Sequence, residues 1–144
     1  MVEVKFYDNV DDELLRFAVI ISKSKGKWVF CKHRERDTYE IPGGHREEKE
    51  TILETAKREL REETGAIDFE IKPICIYSVK GKTKVNKSME DESFGMLFLA
   101  DITSFGELNN EIEKVILVEN LVDNWTYPLI QPKLIEEVKQ RGYL

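Results

Sequence analysis

The segment that decides the fold runs from Gly44 to Ala66 and reads GHREEKETILETAKRELREETGA. Its second half predicts a helix from Thr51 to Thr64, because Thr51 and Glu54 match a capping box and Gly65 supplies a C-terminal stop. The apolar residues that recur at helical spacing within it are Ile52, Leu53, Ala56 and Leu60. This pattern predicts an amphipathic helix whose apolar side packs on a core.

Two glutamates fall on the apolar side of this predicted helix. At about 100° per residue, Glu63 lies inside the apolar arc and Glu59 at its edge, while Glu62 lies further round and flanks Glu59. A carboxylate aimed at a core costs several kcal/mol unless a positive partner meets it. One interpretation is pairing with the cations of the helix, which point mostly to its opposite side: Lys57, Arg58 and Arg61. The other is a divalent cation, because clustered oxygen ligands suit Mg²⁺ or Mn²⁺.

The size and charge of the chain restrict its fold and its partners. With 144 residues, of which 41% are hydrophobic, we expect a single domain over residues 1–144 with one real core. The net charge is −6 and no long basic run is present, so capture of duplex nucleic acid is not expected. Small phosphorylated ligands remain compatible with this charge if a cation screens the repulsion.

Features of the sequence also predict the compartment. The acidic N-terminal segment, residues 1–12, does not resemble a secretory signal, and no apolar run is long enough to span a bilayer. Cys31 and Cys75 lie in apolar, strand-like runs without metal-ligand spacing, so we expect packing thiols in a reduced cytoplasm.

The remaining segments read mainly as strands. Strands are predicted at Leu15–Ile21, Trp28–Cys31, Tyr39–Ile41, Phe69–Val79, Gly95–Ile102 and Val115–Glu119. The run Pro42-Gly43-Gly44 predicts a break, Gly81–Ser93 predicts an exposed loop, and a second helix is expected from about Pro132 to Arg141. The fold class is therefore α+β, with helices packed on a mixed sheet.

The spacing of the first segment resembles a known motif. Gly44, five residues, Glu50, seven residues, and then Arg58 to Ala66 resemble the Nudix box without a gap. Seven fixed identities and two aliphatic positions would match by chance on the order of 10⁻⁸ times per starting position. The expected context of strand, loop and capped helix is also present. The chain is therefore identified as a member of the Nudix hydrolase family, through a motif that covers about a sixth of it.

The resemblance implies a fold, a cofactor and a set of site residues. It implies a Nudix α/β/α sandwich, with a mixed β-sheet and helices on both faces, that hydrolyses a nucleoside diphosphate linked to another moiety with the help of Mg²⁺ or Mn²⁺. The implied metal ligands are Glu59, Glu63, Glu62, the carbonyl of Gly43 and, by its place before a strand, Glu111. The implied catalytic residues are Glu50, which closes the loop–helix structure, Arg58, which orients the acids, and Glu59, Glu62 and Glu63.

The residue that removes a proton from the attacking water is left open among several acids. Relatives differ in which glutamate acts as the base, and the candidates here are Glu62, Glu90, Glu92 and Glu111. His33 and His45 could also carry protons, although a histidine at a strand end or in a loop is more often merely polar.

The substrate contacts are predicted from charge and from position. Lys32, Arg34 and Arg36 follow the second strand, and Arg34 and Arg36 are taken as phosphate contacts, with a solvated role as the equal alternative. Four aromatic residues are candidates for stacking on a base, although most are expected in the core: Phe94, Phe98, Trp125 and Tyr127. Trp125 and Tyr127 are favoured, because MutT-like relatives carry base-contacting residues just before their last helix.

The branch of the family is suggested by size and by this segment. The chain resembles the MutT branch and, within it, the YtkD-type 8-oxo-dGTP diphosphatase group. It departs from the asparagine–proline arrangement of MutT, since Thr126 or Tyr127 occupies that place, which puts guanine readout in doubt. We therefore expect hydrolysis of a nucleoside triphosphate, 8-oxo-dGTP included, to a monophosphate and pyrophosphate. The alternatives are a nucleotide sugar or an RNA 5′ end as substrate, or a nucleotide sensor without catalysis. A monomer or a homodimer is expected.

Overall fold

The computed structural model describes residues 2–83 and 86–144. The strands are β1 (Glu3–Tyr7), β2 (Leu15–Ser24), β3 (Lys27–His33), β4 (Gly43–His45), β5 (Ala66–Lys80), β6 (Glu92–Phe105) and β7 (Ile112–Val118). The helices are α1 (Ile52–Thr64) and α2 (Gln131–Gln140), with a 3-10 turn at Asp12–Leu14. Within the described ranges, no helix is long and apolar enough to cross a membrane.

One mixed sheet organises these elements. The strand order is β1-β5-β6-β2-β3-β7, and β4 pairs with β2 beside this path. The central β2–β6 pair is parallel, whereas the other pairs are antiparallel. The mixed sheet with two helices confirms the predicted α+β class.

The two helices cover opposite faces of the sheet. Side chains alternate across β2, so that Ala18 and Ile20 join one buried cluster whereas Val19 and Ile21 join the other. The first cluster contains Ile52, Ala56 and Leu60 of α1, and the second contains Leu134, Ile135 and Val138 of α2. The predicted sandwich of helix, sheet and helix is thus confirmed.

The first helix forms for the local reasons that its sequence predicts. The Thr51 hydroxyl accepts a hydrogen bond from the Glu54 N–H, and the Glu54 carboxylate accepts one from the Thr51 N–H. Gly65 ends the helix with a φ of 75°, in the left-handed region that glycine adopts at little cost. Leu53 departs from the prediction, because it lies 39% exposed near the start of the helix rather than in the core.

A fork in the sheet, where β3 and β4 diverge from β2, determines the position of the site. β3 pairs with the end of β2 (Ser22–Ser24), whereas β4 pairs with its beginning (Phe17–Val19). β3 and β4 therefore lie along the same edge of β2 and diverge from each other between these two pairings. The break predicted at residues 42–44 is confirmed at Pro42, which forms a bend, and is wrong at Gly43 and Gly44, which join the sheet. Gly43 suits this place because a Cβ there would lie 2.5 Å from the Ala18 carbonyl oxygen.

Other boundaries also differ from the predictions. β1 was not predicted, β5 and β6 extend beyond their predicted ends, and Tyr39–Ile41 forms isolated bridges rather than a strand. The predicted loop at residues 81–93 includes the start of β6, and Gly81 and Asn86 are buried in it. Its residues 84 and 85 lie outside the described residues.

Candidate active site

Glu63 lies at the fork between β3 and β4. Its side chain is buried, as the helical spacing predicts, with 10% of its surface exposed. The Gly43 N–H of β4 donates a hydrogen bond of 2.8 Å to Glu63 Oε1. On the other side, Nε2 of His33, the last residue of β3, lies 2.8 Å from Glu63 Oε2. Three elements that are far apart in sequence therefore meet at one carboxylate.

Glu59 lies one helical turn before Glu63 and packs directly under Gly44. A Cβ at position 44 would fall 1.9 Å from Glu59 Oε2, so only glycine leaves room for this carboxylate. Glu59 Oε1 accepts a hydrogen bond of 2.6 Å from Arg58 Nη1. The glycine of β4 and the acid of α1 therefore fit each other as a pair.

Arg58 connects the acids of the site. Its Nε donates to Glu50 at 2.6 Å, its Nη1 lies 3.2 Å from Glu62, and its Nη2 donates to the His45 carbonyl at 2.9 Å. The helical wheel placed this cation on the far side of the helix, and that expectation is wrong because the long side chain reaches back across the helix. The hydrogen bonds from Arg58 lower the pKa of Glu50 to about 2.

Burial and mutual repulsion act on the inward carboxylates. Burial, followed by the negative charge of Glu63, raises the pKa of Glu59 to about 7. Burial also raises the pKa of Glu63, against the opposing effects of His33 and of the Gly43 N–H. Charge that is costly in this way is stabilised when a cation binds nearby. The donor set of Glu59 and Glu63 is made of oxygens only, which fits a hard divalent cation such as Mg²⁺.

A second chain of polar contacts leads away from Glu63. The Glu40 carboxylate, which is buried, lies 3.6 Å from His33 Nε2 and 2.7 Å from Arg36 Nη1. Burial and the charge of Glu40 raise the pKa of the Tyr127 hydroxyl, and the Arg36 guanidinium opposes this rise. The structure therefore brings Arg36 and Tyr127, both predicted as substrate contacts, together with a buried acid that was not predicted.

The length of chain that a family model matches decides the family. The model of the NUDIX domain family matches residues 13–138. The chain belongs to the NUDIX family. The match reaches from the turn before β2 to α2, well beyond the box, and confirms the family that the box predicted.

Similar proteins extend this result. A curated relative from Bacillus subtilis (strain 168), named "Putative 8-oxo-dGTP diphosphatase YtkD", is 38% identical over 84 residues, which is 58% of this chain and 52% of that protein. The match thus spans about half the length of this relative. The crystal structure of the Bacillus subtilis pyrophosphohydrolase BsRppH is 25% identical with a TM-score of 0.77, covering 99% of this chain and 92% of that one.

A more distant structure shares the fold alone. The structure of a UDP-X diphosphatase is 18% identical with a TM-score of 0.63, and the similarity covers 90% of this chain and 64% of the other. The first two relatives are named as a diphosphatase and a pyrophosphohydrolase, in agreement with the predicted Nudix hydrolase class.

The acids predicted outside the box belong to the loop before β6, the start of β6 and the turn before β7. Glu111 is exposed in the turn before β7, and its carbonyl accepts a hydrogen bond from the Arg34 N–H. Glu90 is exposed in the loop before β6. Glu92 accepts hydrogen bonds from Tyr7 and Ser78, which lower its pKa, Ser78 having the larger effect. In residues 2–83 and 86–144, Glu59, Glu62 and Glu111 join no group of three closely spaced metal-ligand side chains.

The predicted substrate contacts fall into two classes. The Arg34 guanidinium donates to the Asn110 carbonyl at 2.6 Å, and Trp125 packs edge-on against Phe30 with ring centroids 5.3 Å apart. Phe98 lies in the core and Lys32 pairs with Glu113 at 3.1 Å. By contrast, Phe94 lines a cavity of about 360 Å³ with Arg16, Phe17 and His45.

Sequence reasoning did not place His33 and Glu40 at the site. It favours a merely polar role for His33, with proton transfer as the alternative, and gives Glu40 no role. Cys31 exchanges two backbone hydrogen bonds of 3.0 Å with Glu40, which brings the segment before β4 against β3. The sequence signal for this arrangement is an acid inside the predicted strand Tyr39–Ile41.

Proposed function

We propose that this protein is a Mg²⁺-dependent (or Mn²⁺-dependent) Nudix pyrophosphohydrolase over residues 1–144, which cleaves a nucleoside triphosphate, 8-oxo-dGTP included, to a monophosphate and pyrophosphate. The observation that carries the proposal is the inward pair Glu59 and Glu63, one half-buried and one buried carboxylate that lie against Gly44 and Gly43 of β4. Such a pair is costly in a folded protein and is explained by a bound cation.

In this proposal the cation is held by the carboxylates of α1 and by β4. Glu59 and Glu63 supply the principal ligands, Glu62 and the carbonyl of Gly43 complete them, and Glu111 is a further candidate. When bound, Mg²⁺ stabilises the charge that develops on the phosphate oxygens and lowers the pKa of a bound water. Glu50 and Arg58 keep the acids oriented, since Arg58 contacts Glu50, Glu59 and Glu62 at once.

Proton removal from the attacking water is assigned to Glu62. This residue is 42% exposed, so it can reach a water at the phosphate, and it neighbours both inward acids on α1. Glu92 is less suited because Tyr7 and Ser78 occupy its carboxylate. Glu90 and Glu111 are exposed and stay as the next candidates.

The nucleoside is assigned to the cavity beside β4. Phe17 packs on His45 with ring centroids 4.6 Å apart, and Phe94 and Arg16 line the same cavity of about 360 Å³. Two phenylalanine rings among several polar and charged side chains suit a base that both stacks and forms hydrogen bonds. Arg36 and Tyr127, which lie beside Glu40, are assigned as the predicted substrate contacts. Arg34 and Trp125 are assigned a supporting role, because Arg34 bonds to the Asn110 carbonyl and Trp125 packs on Phe30.

The name of the YtkD relative supports a triphosphate and 8-oxo-dGTP, although the match covers only 52% of that protein. The second candidate, a nucleotide sugar, rests on the sequence analysis, because the UDP-X diphosphatase at 18% identity supports the fold alone. The free, buried Cys31 and Cys75 agree with a reducing compartment, and we propose a cytoplasmic monomer or homodimer.

The proposal is tested by a substrate panel with Mg²⁺. The panel contains dGTP, 8-oxo-dGTP, ATP, a UDP-sugar, ADP-ribose and a 5′-triphosphorylated RNA, and phosphorus NMR identifies the products. We expect a triphosphate to be cleaved fastest, to a monophosphate and pyrophosphate. Equal rates for 8-oxo-dGTP and dGTP would remove the 8-oxo preference. Nucleotide binding without cleavage of any compound would contradict the proposal and favour a sensor.

A further inference from the structure

We propose that Cys31, His33 and Glu63 form a second cation site, which takes a borderline or soft divalent ion of the Zn²⁺ class and shares Glu63 with the hydrolytic site. One ligand atom from each residue, Cys31 Sγ, His33 Nε2 and a Glu63 carboxylate oxygen, lies within 4.8 Å of the other two. Among the described residues this is the group of three metal-ligand side chains that the fold assembles.

The fold holds the three donors in place from two directions. Cys31 and His33 both belong to β3, with one residue between them, and Glu63 reaches them from the last turn of α1. Cys31 is fully buried and Glu63 is 8% exposed, so both donors are shielded from bulk water. His33 is 22% exposed at its side chain, which leaves a path for an ion.

The imidazole nitrogen faces the acids of the proposed site. His33 Nε2 lies 2.8 Å from Glu63 Oε2 and 3.6 Å from a Glu40 carboxylate oxygen. An imidazole nitrogen beside a carboxylate can share a proton with it or, when neutral, coordinate a cation. The contact between His33 and Glu63 therefore places two ligand types side by side.

The donor set selects the class of ion. Sulfur, imidazole nitrogen and carboxylate oxygen are the ligands of Zn²⁺, which binds them in a compact tetrahedral arrangement. Mg²⁺ prefers oxygen ligands and retains water, so Cys31 and His33 would not attract it. The Glu40 carboxylate lies 3.6 Å from His33 Nε2 but pairs with Arg36 at 2.7 Å, so a water is the expected fourth ligand.

Binding changes the ionisation of Cys31 without any redox step. The Cys31 thiol loses its proton to solvent, the sulfur lone pair forms the bond to the ion, and no electron is transferred. Without a cation, burial raises the pKa of this thiol, and the charges of Glu63 and Glu40 act in the same direction. A bound ion reverses that effect, because coordination to a metal deprotonates a thiol.

The shared ligand makes the two cations competitors. A Zn²⁺-class ion at Cys31 and His33 draws the Glu63 carboxylate toward β3 and away from the oxygen-only set with Glu59. Zn²⁺ at low concentration should therefore inhibit turnover supported by Mg²⁺, a consequence that rests on the proposed function. The existence of the site does not rest on it.

Cd²⁺ titration of the full chain, stripped of metal by EDTA and without nucleotide, tests the site. Cadmium–thiolate bonds absorb in the ultraviolet, so wild-type protein should show this absorption with one Cd²⁺ per chain, and Zn²⁺ should displace it. Cys31→Ser should abolish the absorption. Cys75→Ser, which changes the other buried cysteine, is the matched control and should keep it.

His33→Gln gives a second measurement that does not depend on the packing of Cys31. It should weaken Cd²⁺ binding at least tenfold while circular dichroism stays that of the wild type. Full absorption in Cys31→Ser, unchanged affinity in His33→Gln, or no Cd²⁺ uptake by the wild type would each overturn the site. Absence of hydrolysis with normal Cd²⁺ binding would refute the proposed function alone. Turnover with Mg²⁺ that Zn²⁺ does not inhibit would refute the competition.

Discussion

The Glu59–Glu63 pair should make the stability of the protein depend on both pH and Mg²⁺. The pKa of Glu59 rises from its ordinary value of 4.5 to about 7 in the folded protein. An acid with a higher pKa in the folded than in the unfolded state takes up a proton on folding. The contribution of protonated Glu59 to the free energy of unfolding is therefore complete below pH 4.5 and is lost as the pH rises through about 7. At about 1.4 kcal/mol per pKa unit, the loss is about 3 kcal/mol.

Urea unfolding between pH 5 and pH 8 measures this dependence. In EDTA, the free energy of unfolding should fall as the pH rises, and the raised pKa values of Glu63 and His33 act in the same direction. Excess Mg²⁺ should reduce the fall, because the cation stabilises the ionised carboxylates. The lowered pKa of Glu50 acts below pH 4.5 and lies outside this range.

Glu59→Gln separates the contribution of Glu59 from the others. This variant should be more stable than the wild type at pH 8 in EDTA and should show a flatter pH dependence. Glu136→Gln, an exposed change on α2, is the control and should follow the wild type. If Glu59→Gln kept the slope of the wild type, or if Mg²⁺ left that slope unchanged, the reasoning would be refuted.

Three further predictions concern single positions. Gly44→Ala should keep the fold but weaken Mn²⁺ binding, measured by electron paramagnetic resonance, because the new Cβ would lie 1.9 Å from Glu59 Oε2; Gly106→Ala, which meets only the flexible end of a side chain, should not. Arg58→Lys should lower turnover about 10- to 100-fold, because a lysine cannot hold several carboxylates at once, and unchanged kcat would contradict that role. Leu60→Ala should destabilise the protein by about 2–5 kcal/mol in urea, since Leu60 is fully buried.

The local features of the site could be predicted from the sequence. The capping box at Thr51, the stop at Gly65 and the 3.6-residue period fix α1, so the burial of Glu63 follows from its place on the helix. These signals act over a few residues. They do not depend on the rest of the chain, which is why the prediction of α1 is confirmed.

The surroundings of Glu63 depend on contacts between distant segments. The approach of His33 and Glu40 requires Cys31 to pair with the segment before β4, and sequence spacing gives no measure of that pairing. The contacts of Arg58 depend on a side-chain conformation that a helical wheel does not describe. The same limit explains the prediction of a break at Gly43, whose close approach to Ala18 is visible only once β2 is in place.

The most direct test of the central claim is the Mg²⁺-dependent turnover of Glu59→Gln and Glu63→Gln. With the fastest substrate of the panel, each variant should lose turnover by orders of magnitude while its circular dichroism stays that of the wild type. Glu136→Gln should retain full activity. Rates like those of the wild type in either Glu59→Gln or Glu63→Gln, at saturating Mg²⁺, would contradict the assignment of these two carboxylates to the catalytic cation.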